Sequence, residues 1–249
     1  MARSAQDACG LLTGERTVPG LAEENYWFRR HEAAYAFARD VVTGRVVLEV
    51  GCGEGYGAAL LAGDAQRVIG LDYDAATVAH AAARYPQAAF VQANLAALPM
   101  RSAAVDTVAS LQVIEHVWDV PQFLGECLRV LRRDGTLLLT TPNRLTFSPG
   151  RDTPLNPFHA HEYVADELAG QMTACGASVT HILGLHAGPR LQALDARHGS
   201  FAAAQLAVPP GKWSRRLMRD VVSVRAADFT VTGDRLDACL DLVVLARRR

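Results

Sequence analysis

The sequence predicts a doubly wound α/β fold of the Rossmann-like type, and three observations predict it. Short apolar segments alternate with amphipathic helical segments, a glycine cluster follows the first apolar segment, and an aspartate ends the second. This alternation is typical of a parallel sheet covered by helices on both faces. Because such a sheet binds its ligand beyond the carboxyl ends of its strands, functional residues are expected in the turns after the strands.

The helices and strands are predicted from the spacing of apolar residues and from capping residues. Apolar residues at three- and four-residue steps between Trp27 and Val42 form one helix face, and Asp74 and Asp119 suit the caps of later helices. Strands are predicted over residues 46–50, 67–72, 89–93, 105–111, 136–141, 178–185 and 236–246. Helices are predicted over residues 24–42, 75–84 and 164–175, and from Asp119 to a stop at Asp134-Gly135.

The domain organisation follows from where this alternation begins and where it is interrupted. Residues 1–44 are predicted to form an N-terminal arm and helix that cover part of the site, and residues 45–249 a single domain. Residues 144–160 are rich in proline and glycine, and a loop of that length is usually a lid or a binding loop. Residues 187–233 show no regular pattern and are predicted to be an irregular insertion before the last strand.

Composition excludes several classes of protein. The formal net charge of the 249 residues is −1, which gives no general attraction to nucleic acid or to an anionic membrane, so we expect neither as a partner. The five cysteines contain no Cys-x-x-Cys pair, which speaks against a disulfide framework and a zinc site. No segment has the ~18 consecutive apolar residues of a membrane span. The first residues lack the pattern of an export signal, so a cytoplasmic location is expected.

The cofactor site is predicted by a glycine cluster and a carboxylate at the ends of two strands. The segment Glu49-Val50-Gly51-Cys52-Gly53-Glu54-Gly55 follows the first strand, where glycines permit a tight turn and a close approach of backbone to ligand. Asp72 ends the next strand, where a carboxylate can accept hydrogen bonds from both hydroxyls of a ribose. NAD and S-adenosylmethionine both carry that ribose, so these two features leave both cofactors open.

Motifs after the later strands complete the pattern. Asn94-Leu95, Gln112-Val113-Ile114-Glu115-His116 and Thr141-Pro142-Asn143-Arg144 join the glycine cluster and Asp72. Together, residues 45–145 resemble class I S-adenosylmethionine-dependent methyltransferases. The resemblance implies a seven-stranded sheet in the order 3-2-1-4-5-7-6, with the last strand antiparallel.

The same resemblance implies S-adenosylmethionine as the cofactor and assigns residues to its parts. Gly51 and Gly53 are implied at the methionine portion, Asp72 at the ribose, and Asn94 and Leu95 at the adenine, where many members have an aspartate in place of Asn94. The cofactor set also includes Glu49, Gly55, Tyr73 and Gln112.

Stretches outside this common core resemble a narrower group. They are LTGERT at residues 12–17, ENYWFRRH at 24–31, FSPGRDTP at 147–154 and DARHG at 195–199. They are similar to mycobacterial sugar O-methyltransferases of polymethylated polysaccharide synthesis, of the methylmannose and methylglucose types. The resemblance implies a short oligosaccharide acceptor. The leading interpretation is the 1-hydroxyl of a short, partly methylated mannoside, and the 6-hydroxyl of a glucose unit is the alternative. A homodimer is left open.

Methyl transfer to a sugar hydroxyl requires removal of the hydroxyl proton, because the neutral hydroxyl is a poor nucleophile. Histidine suits this role, since its ordinary pKa of about 6.5 lies near working pH. His116 follows the fourth strand and His159 ends the long loop, so either is a candidate base, with Glu115 adjacent to His116. The same three side chains are the candidates for holding Mg²⁺, which would acidify the hydroxyl instead.

The remaining site predictions concern residues around the two ligands. Tyr26 is predicted to cover the cofactor, and Arg29 or Arg30 either pairs with its methionine carboxylate or faces solvent. The residues predicted to contact the sugar are Trp27, Arg144, Arg151, His161 and His186.

Two functions of other classes are weighed against a methyltransferase. An NAD-dependent oxidoreductase is disfavoured because no clear pyrophosphate-binding turn lies in register with Gly51. A non-catalytic binding protein would bind S-adenosylhomocysteine but would turn over no acceptor.

Overall fold

An eight-stranded sheet is the centre of the fold in residues 16–248, the part of the chain that this computed structural model describes. Its strands are β1 (Val46–Val50), β2 (Arg67–Asp72), β3 (Ala89–Gln92), β4 (Val105–Leu111), β5 (Leu131–Pro142), β6 (Ala177–Ala187), β7 (Phe229–Thr232) and β8 (Asp241–Arg248). They lie in the order β3-β2-β1-β4-β5-β8-β6-β7. Strands β1 to β5 run parallel, whereas β8 is antiparallel to both β5 and β6. The predicted Rossmann-like fold is confirmed.

The helices alternate with the parallel strands as the sequence predicts. They are α1 (Asn25–Val42), α2 (Tyr56–Leu61), α3 (Ala75–Arg84), α4 (Val120–Val130), α5 (Arg144–Phe147), α6 (Ala165–Ala174), α7 (Pro189–His198), α8 (Phe201–Leu206) and α9 (Arg215–Val222). Asp74 accepts a hydrogen bond from the amide of Ala76 at 3.1 Å, and Asp119 accepts one from the amide of Gln122 at 3.1 Å. Both predicted caps are therefore confirmed.

The core lies on the central strands and on the helices that cover them. Leu48, Val108, Leu139 and Val244 are completely buried, one on each of β1, β4, β5 and β8, and Phe123 of α4 packs in the same apolar cluster. Strands covered on both faces have nearly continuous apolar sequences, which explains why β1, β4 and β5 were predictable.

The number of strands and several boundaries differ from the prediction. The sheet has eight strands rather than seven, because the four residues of β7 add a short edge strand beside β6. The last strand begins at Asp241 rather than at residue 236, since Leu236–Ala238 form a single 3₁₀ turn. The helix α4 ends at Val130, before the predicted stop, because Leu131 already pairs with Val105 in the sheet.

The segment predicted as an irregular insertion contains three helices. Ser200 caps α8 through the amide of Ala203, Ser214 caps α9 through the amide of Leu217, and Gly199 ends α7 in the left-handed conformation at φ +78°. Helices of six to ten residues, separated by glycine and proline, are too short to show a clear period in the sequence.

The described chain divides into two compact units. One comprises residues 16–33 with Ala187–Thr230, and the other comprises Ala34–His186 with residues 231–248. In the first unit the side-chain amide of Asn25 donates to the carbonyls of Val221 and Val224 at 3.0 and 2.9 Å. The rings of Tyr26 and Phe201 pack edge to face at 5.2 Å. This unit therefore joins segments that lie nearly 200 residues apart in sequence.

Within residues 16–248, no helix combines the length and the apolar character that crossing a membrane requires.

Asn143 directly follows β5 and binds the segment that connects β7 to β8. Its buried amide donates to the carbonyls of Leu236 and Cys239 at 2.9 and 3.1 Å, and its oxygen accepts from the amide of Leu145 at 3.1 Å. Asn143→Ala removes three hydrogen bonds at once, although the carbonyls of Leu236 and Cys239 keep the bonds from the amide of Cys239 and the hydroxyl of Thr146, so we expect the free energy of unfolding to fall by about 2–4 kcal/mol. Urea denaturation measures it.

A control separates the donor from the acceptor of Asn143. Asn143→Asp keeps the acceptor for Leu145 but places an oxygen against two carbonyls, so it should destabilise at least as much as alanine. An alanine variant as stable as the wild type would contradict this role.

Candidate functional site

The turn after β1 has a backbone that only glycine adopts easily. Gly51, Gly53 and Gly55 have φ values of +79°, +49° and +80°, in the left-handed region. A Cβ atom at Gly51 would lie 2.5 Å from Cγ2 of Val113, and one at Gly55 would lie 2.6 Å from Cβ of Ala81. Both conformation and space therefore require the glycine cluster that the sequence singles out.

Asp72 links the end of β2 to this turn. Its buried carboxylate accepts hydrogen bonds from the amide of Gly53 at 2.9 Å and from the amide of Asp74 at 3.0 Å. A carboxylate has about four lone-pair positions and suits the hydroxyl groups of a ribose as donors. The position of Asp72 fits the predicted contact with a ribose.

Glu49, on β1, is a buried carboxyl group with one unsatisfied oxygen. It is 1% exposed, and the hydroxyl of Tyr35 donates to its Oε1 at 2.5 Å. In the part of the chain that is described, its buried Oε2 has no hydrogen-bond partner. Burial, with a smaller contribution from the charge of Asp72, raises the pKa of Glu49 to about 8. A buried acceptor without a partner is costly, and a donor such as the ammonium group of an amino acid would satisfy it.

The other predicted cofactor residues follow β2, β3 and β4. Gln112 has φ +57°, which is unusual for a residue with a side chain. Its backbone amide donates to the carbonyl of Thr140 at 2.9 Å, and its side-chain amide donates to the hydroxyl of Thr140 at 3.1 Å. Asn94 is exposed and accepts from the amide of Ala96 at 2.9 Å, whereas Leu95 packs partly against the core. Tyr73 is exposed. All four residues stand at the carboxyl edge of neighbouring parallel strands, where the fold binds ligands.

The two candidate bases and Glu115 lie together. Glu115 and His116 belong to the 3₁₀ turn Ile114–His116 after β4, and His159 comes from the long loop after β5. One ligand atom from each of the three lies within 4.8 Å of the others. The imidazole rings of His116 and His159 meet edge to face at 4.9 Å. The structure thus brings together three residues that the sequence nominated from two separate segments.

The backbone and side chain of Glu115 hold this cluster. Its carbonyl accepts hydrogen bonds from the amides of Ala160 and His161 at 2.6 and 3.1 Å, and its carboxylate accepts from the hydroxyl of Thr141 at 2.9 Å. Burial, together with the charges of Asp241 and Glu162, raises the pKa of Glu115 to about 8. The predicted lid loop is therefore fastened to the sheet at its C-terminal end, and its first four residues form helix α5.

Hydrogen bonds define the tautomer of both imidazoles. Nδ1 of His159 lies 2.8 Å from Oε1 of Glu162, and Nδ1 of His116 lies 2.9 Å from the carbonyl of Phe158. Because a carbonyl or a carboxylate only accepts, each Nδ1 carries a proton, and in the neutral ring the lone pair is on Nε2. The side-chain amide of Asn156 lies 3.1 Å from Nε2 of His159. In its neutral form, each ring therefore has Nε2 as the atom that could accept a proton or bind a metal ion.

The donor set of this cluster bears on which metal ion would fit. Two imidazoles and one carboxylate suit borderline ions such as Mn²⁺, Co²⁺ or Zn²⁺, whereas Mg²⁺ prefers oxygen ligands and water. The cluster fits the predicted Mg²⁺ less well than it fits these ions.

The residues predicted to contact a sugar are placed differently from one another. Arg144 and His161 both approach the carboxylate of Glu167, at 3.8 and 2.7 Å, and Arg151 is exposed on the loop. Nε2 of His186 is buried and, among the described residues, has no hydrogen-bond partner. His186 ends β6, so this unsatisfied atom lies near the carboxyl end of a strand that runs parallel to β5.

The predicted cover residues belong to the first unit. Tyr26 and Arg30 are buried, and the guanidinium of Arg30 lies over the ring of Trp27 at 5.6 Å. The alternative that Arg30 faces solvent is therefore wrong. The contacts of Tyr26, Trp27 and Arg30 with the cofactor and sugar stay predictions. Residues 12–15 of the first similar stretch lie outside the described residues.

Several residues that support the site were not predicted from the sequence. Tyr35 lies on the predicted apolar face of the first helix, and that pattern gives no sign that its hydroxyl bonds to Glu49. Asn156 precedes His159 by three residues, and this short spacing could have indicated that the two side chains form a hydrogen bond. Asp241 lies within a predicted apolar strand. It comes close enough to influence the pKa of Glu115 only because β8 pairs with β5.

The raised pKa of Glu49 predicts a pH dependence of stability. The folded ligand-free protein retains a proton that the unfolded chain releases near pH 4.5, so the stability contributed by Glu49 falls as pH rises from about 4.5 to about 8. Glu49→Gln should remove this fall, which has a limiting slope of roughly 1.4 kcal/mol per pH unit. The free energy of unfolding of the variant minus that of the wild type should therefore be larger at pH 8 than at pH 5. Chemical denaturation at the two pH values measures this difference.

Tyr35→Phe is the companion variant for this prediction. The Tyr35 hydroxyl stabilises the ionised carboxylate, so its removal should move the pH-dependent range upward. If wild type and Glu49→Gln lose stability in parallel between pH 5 and 8, the Glu49 carboxyl is not the buried acid described above.

The chain resembles known proteins over its whole length. Residues 48–139 match the family model described as a methyltransferase domain. A Mycolicibacterium smegmatis protein named "probable S-adenosylmethionine-dependent methyltransferase" is 56% identical over 243 residues, which cover 95% of each chain. A Mycobacterium tuberculosis protein of the same designation is 51% identical and covers 99% of this chain and 93% of its own.

Solved structures show the same fold at low identity. A chain in the complex between the Haloferax volcanii Trm112 methyltransferase activator and a methyltransferase has a TM-score of 0.64 at 18% identity and covers 99% of both chains. The 4+2 cyclase SpnF has a TM-score of 0.60 at 20% identity and covers 88% of this chain and 81% of its own. At these identities the likeness shows the fold alone, whereas the full-length relatives show the family. The chain belongs to the class I S-adenosylmethionine-dependent methyltransferases, and S-adenosylmethionine is its cofactor.

Proposed function

We propose that this methyltransferase acts on a sugar hydroxyl and that the His116–His159 cluster removes the hydroxyl proton. The acceptor we propose is a short, partly methylated mannoside, methylated at its 1-hydroxyl in the synthesis of methylmannose polysaccharide. The 6-hydroxyl of a glucose unit, in methylglucose lipopolysaccharide, is the competing acceptor. The pairing of two imidazoles with Glu115 within 4.8 Å is the observation that carries the proposal.

The acceptor class is supported by residues outside the common methyltransferase core. The stretches at residues 147–154 and 195–199 resemble sugar O-methyltransferases, and both lie beyond the region that the family model matches. The two full-length relatives are mycobacterial, in keeping with that resemblance.

The cofactor supplies a methyl group on a sulfonium, which is already electrophilic, so the protein need only position and deprotonate the acceptor. Glu49 and the glycine turn would hold the methionine portion, and Asp72 the ribose. The Nε2 atom of His159 is the proposed proton acceptor, and Glu162 fixes its tautomer through Nδ1. The side chain of His159 is 4% exposed, so the incoming hydroxyl would take the position at Nε2 that Asn156 now occupies.

His159→Ala should lower kcat by roughly 10²–10⁴-fold, the usual span for a general base, with little change in the affinity for S-adenosylhomocysteine. Glu162→Gln should lower kcat less, because the imidazole remains but its tautomer is no longer fixed. His181→Ala is the matched control, since His181 is exposed on β6 and outside the cluster. Steady-state turnover with calorimetric cofactor titration provides the readouts, and near-normal turnover of His159→Ala would remove it from the mechanism.

Asp72→Ala should weaken the binding of S-adenosylhomocysteine by about 100-fold, because two hydroxyl contacts to a charged acceptor, roughly 1.5 kcal/mol each, are lost. Asp74→Ala is the control: it removes the cap of α3 and the bond to the hydroxyl of Thr77, so it should cost about 1–2 kcal/mol of stability and leave cofactor affinity unchanged. Calorimetry measures both variants. Equal affinities of Asp72→Ala and wild type would contradict the ribose contact.

One assay tests the acceptor and the metal together. The enzyme is dialysed against EDTA and incubated with labelled methyl donor and a panel of defined manno- and gluco-oligosaccharides, alone or with Mg²⁺ or Mn²⁺. The expected product is a new methyl ether on a mannoside 1-hydroxyl, located by NMR. Transfer only to glucose 6-hydroxyls would select the competitor, and transfer to no sugar would overturn the proposal. Activity that requires added metal would make the three clustered residues ligands rather than bases.

A further inference from the structure

Trp118 is the most exposed large apolar side chain in the described part of the protein, at 91%. It follows the 3₁₀ turn Ile114–His116 and precedes Asp119, the cap of α4. Most apolar surface of this size is buried on folding, and an aromatic ring left in water commonly marks a contact surface for a ligand.

The backbone on both sides of Trp118 is fixed. The amide of Val117 donates to the carbonyl of Ile114 at 3.2 Å, and Asp119 accepts from the amide of Gln122 at 3.1 Å. Val120, the first residue of α4, is buried. The indole is therefore presented to solvent by a rigid corner of the sheet edge.

A second exposed aromatic residue adjoins the same imidazole cluster. Phe158 is 45% exposed, directly precedes His159, and its carbonyl bonds to Nδ1 of His116 at 2.9 Å. Trp118 follows His116 by two residues, so their Cα atoms are at most about 7.6 Å apart. Each of the two imidazoles thus has an exposed aromatic neighbour in the chain.

We propose that Trp118, with Phe158, stacks on the apolar face of a pyranose ring of the acceptor and so determines its binding. This inference rests on the proposed sugar acceptor. The hydroxyl that loses its proton must contact the imidazole cluster. The sugar that carries it, or the next sugar of the oligosaccharide, therefore lies over residues close to His116. A pyranose presents hydroxyls at its edge and C–H groups on its faces, and methyl ethers enlarge that apolar surface. An exposed indole matches such a face and buries apolar area on both partners.

The other partners that an exposed indole recognises fit less well. A nucleic-acid base stacks on aromatic residues within a positively charged groove, whereas this chain has a net charge of −1 and the residue after Trp118 is an aspartate. A second copy of the chain remains an outcome of the test.

Trp118→Ala and Trp118→Phe test the proposal in steady-state kinetics with the acceptor that wild type methylates. We expect alanine to raise the KM for the acceptor about tenfold, the value of one good aromatic contact, with kcat within about threefold and the affinity for S-adenosylhomocysteine unchanged. Phenylalanine should restore most of the loss. Val222→Ala, on α9 and 50% exposed, is the control for removing exposed apolar surface and should behave as wild type.

Fluorescence provides a readout that does not depend on turnover. The chain has three tryptophans, so the difference between titrations of wild type and Trp118→Phe isolates the signal of residue 118. Acceptor should shift this emission to the blue as water is displaced from the ring. If wild type methylates a sugar while Trp118→Ala keeps its KM and no shift is seen, the stacking role is wrong and the proposed function stands. If wild type methylates no sugar, the proposed function itself fails. An unchanged KM with a reduced molecular mass in light scattering would assign Trp118 to a contact between copies and overturn the proposal.

Discussion

The candidate active site depends on the backbone carbonyl of Glu115. This one oxygen accepts the amides of Ala160 and His161, and through them it draws the end of a long loop onto the turn after β4. His116 and His159 belong to segments separated by some forty residues, which are also held by the bond between Nδ1 of His116 and the carbonyl of Phe158 and by the pairing of Tyr163 with Asn143. A main-chain acceptor suits the task because its position is set by the sheet and does not change with side-chain rotamer.

In a parallel sheet, the segments that follow the strands come together at one edge. Strands β1, β2, β4 and β5 all end at one edge, where each leaves backbone groups that no longer pair within the sheet. After β1, the amide of Gly53 bonds to Asp72 of β2. After β4, the carbonyl of Glu115 bonds to the amides of Ala160 and His161. Strand order therefore places the predicted cofactor residues and the predicted acceptor residues at the same edge of the sheet, although they are distant in sequence.

Much of this could be read from the sequence because it depends on local signals. The bounds of β1, β2, β4 and α3 follow from apolar runs, the glycine turn and the Asp74 cap, and each is fixed by residues within about ten positions. The three helices between β6 and β7 could not be read, since their stability comes from packing against residues 16–33 rather than from their own periodicity. Tyr35 and Asp241 were missed for the same reason: their partners, Glu49 and Glu115, are brought to them only by the tertiary fold.

The cluster also explains why the fold retains buried acids that weaken it. Glu115, Glu162 and Asp241 are each at most 2% exposed, and burial together with repulsion from its two acidic neighbours raises the pKa of Glu115, a stability cost that an apolar residue would avoid. A proton or a cation received at the imidazoles would offset that repulsion. In the proposed mechanism, the same acids would favour a positive charge on His159. A site that accepts a proton in the reaction is stabilised by this placement, whereas a site that served only to hold the fold together would be better built from leucine and valine.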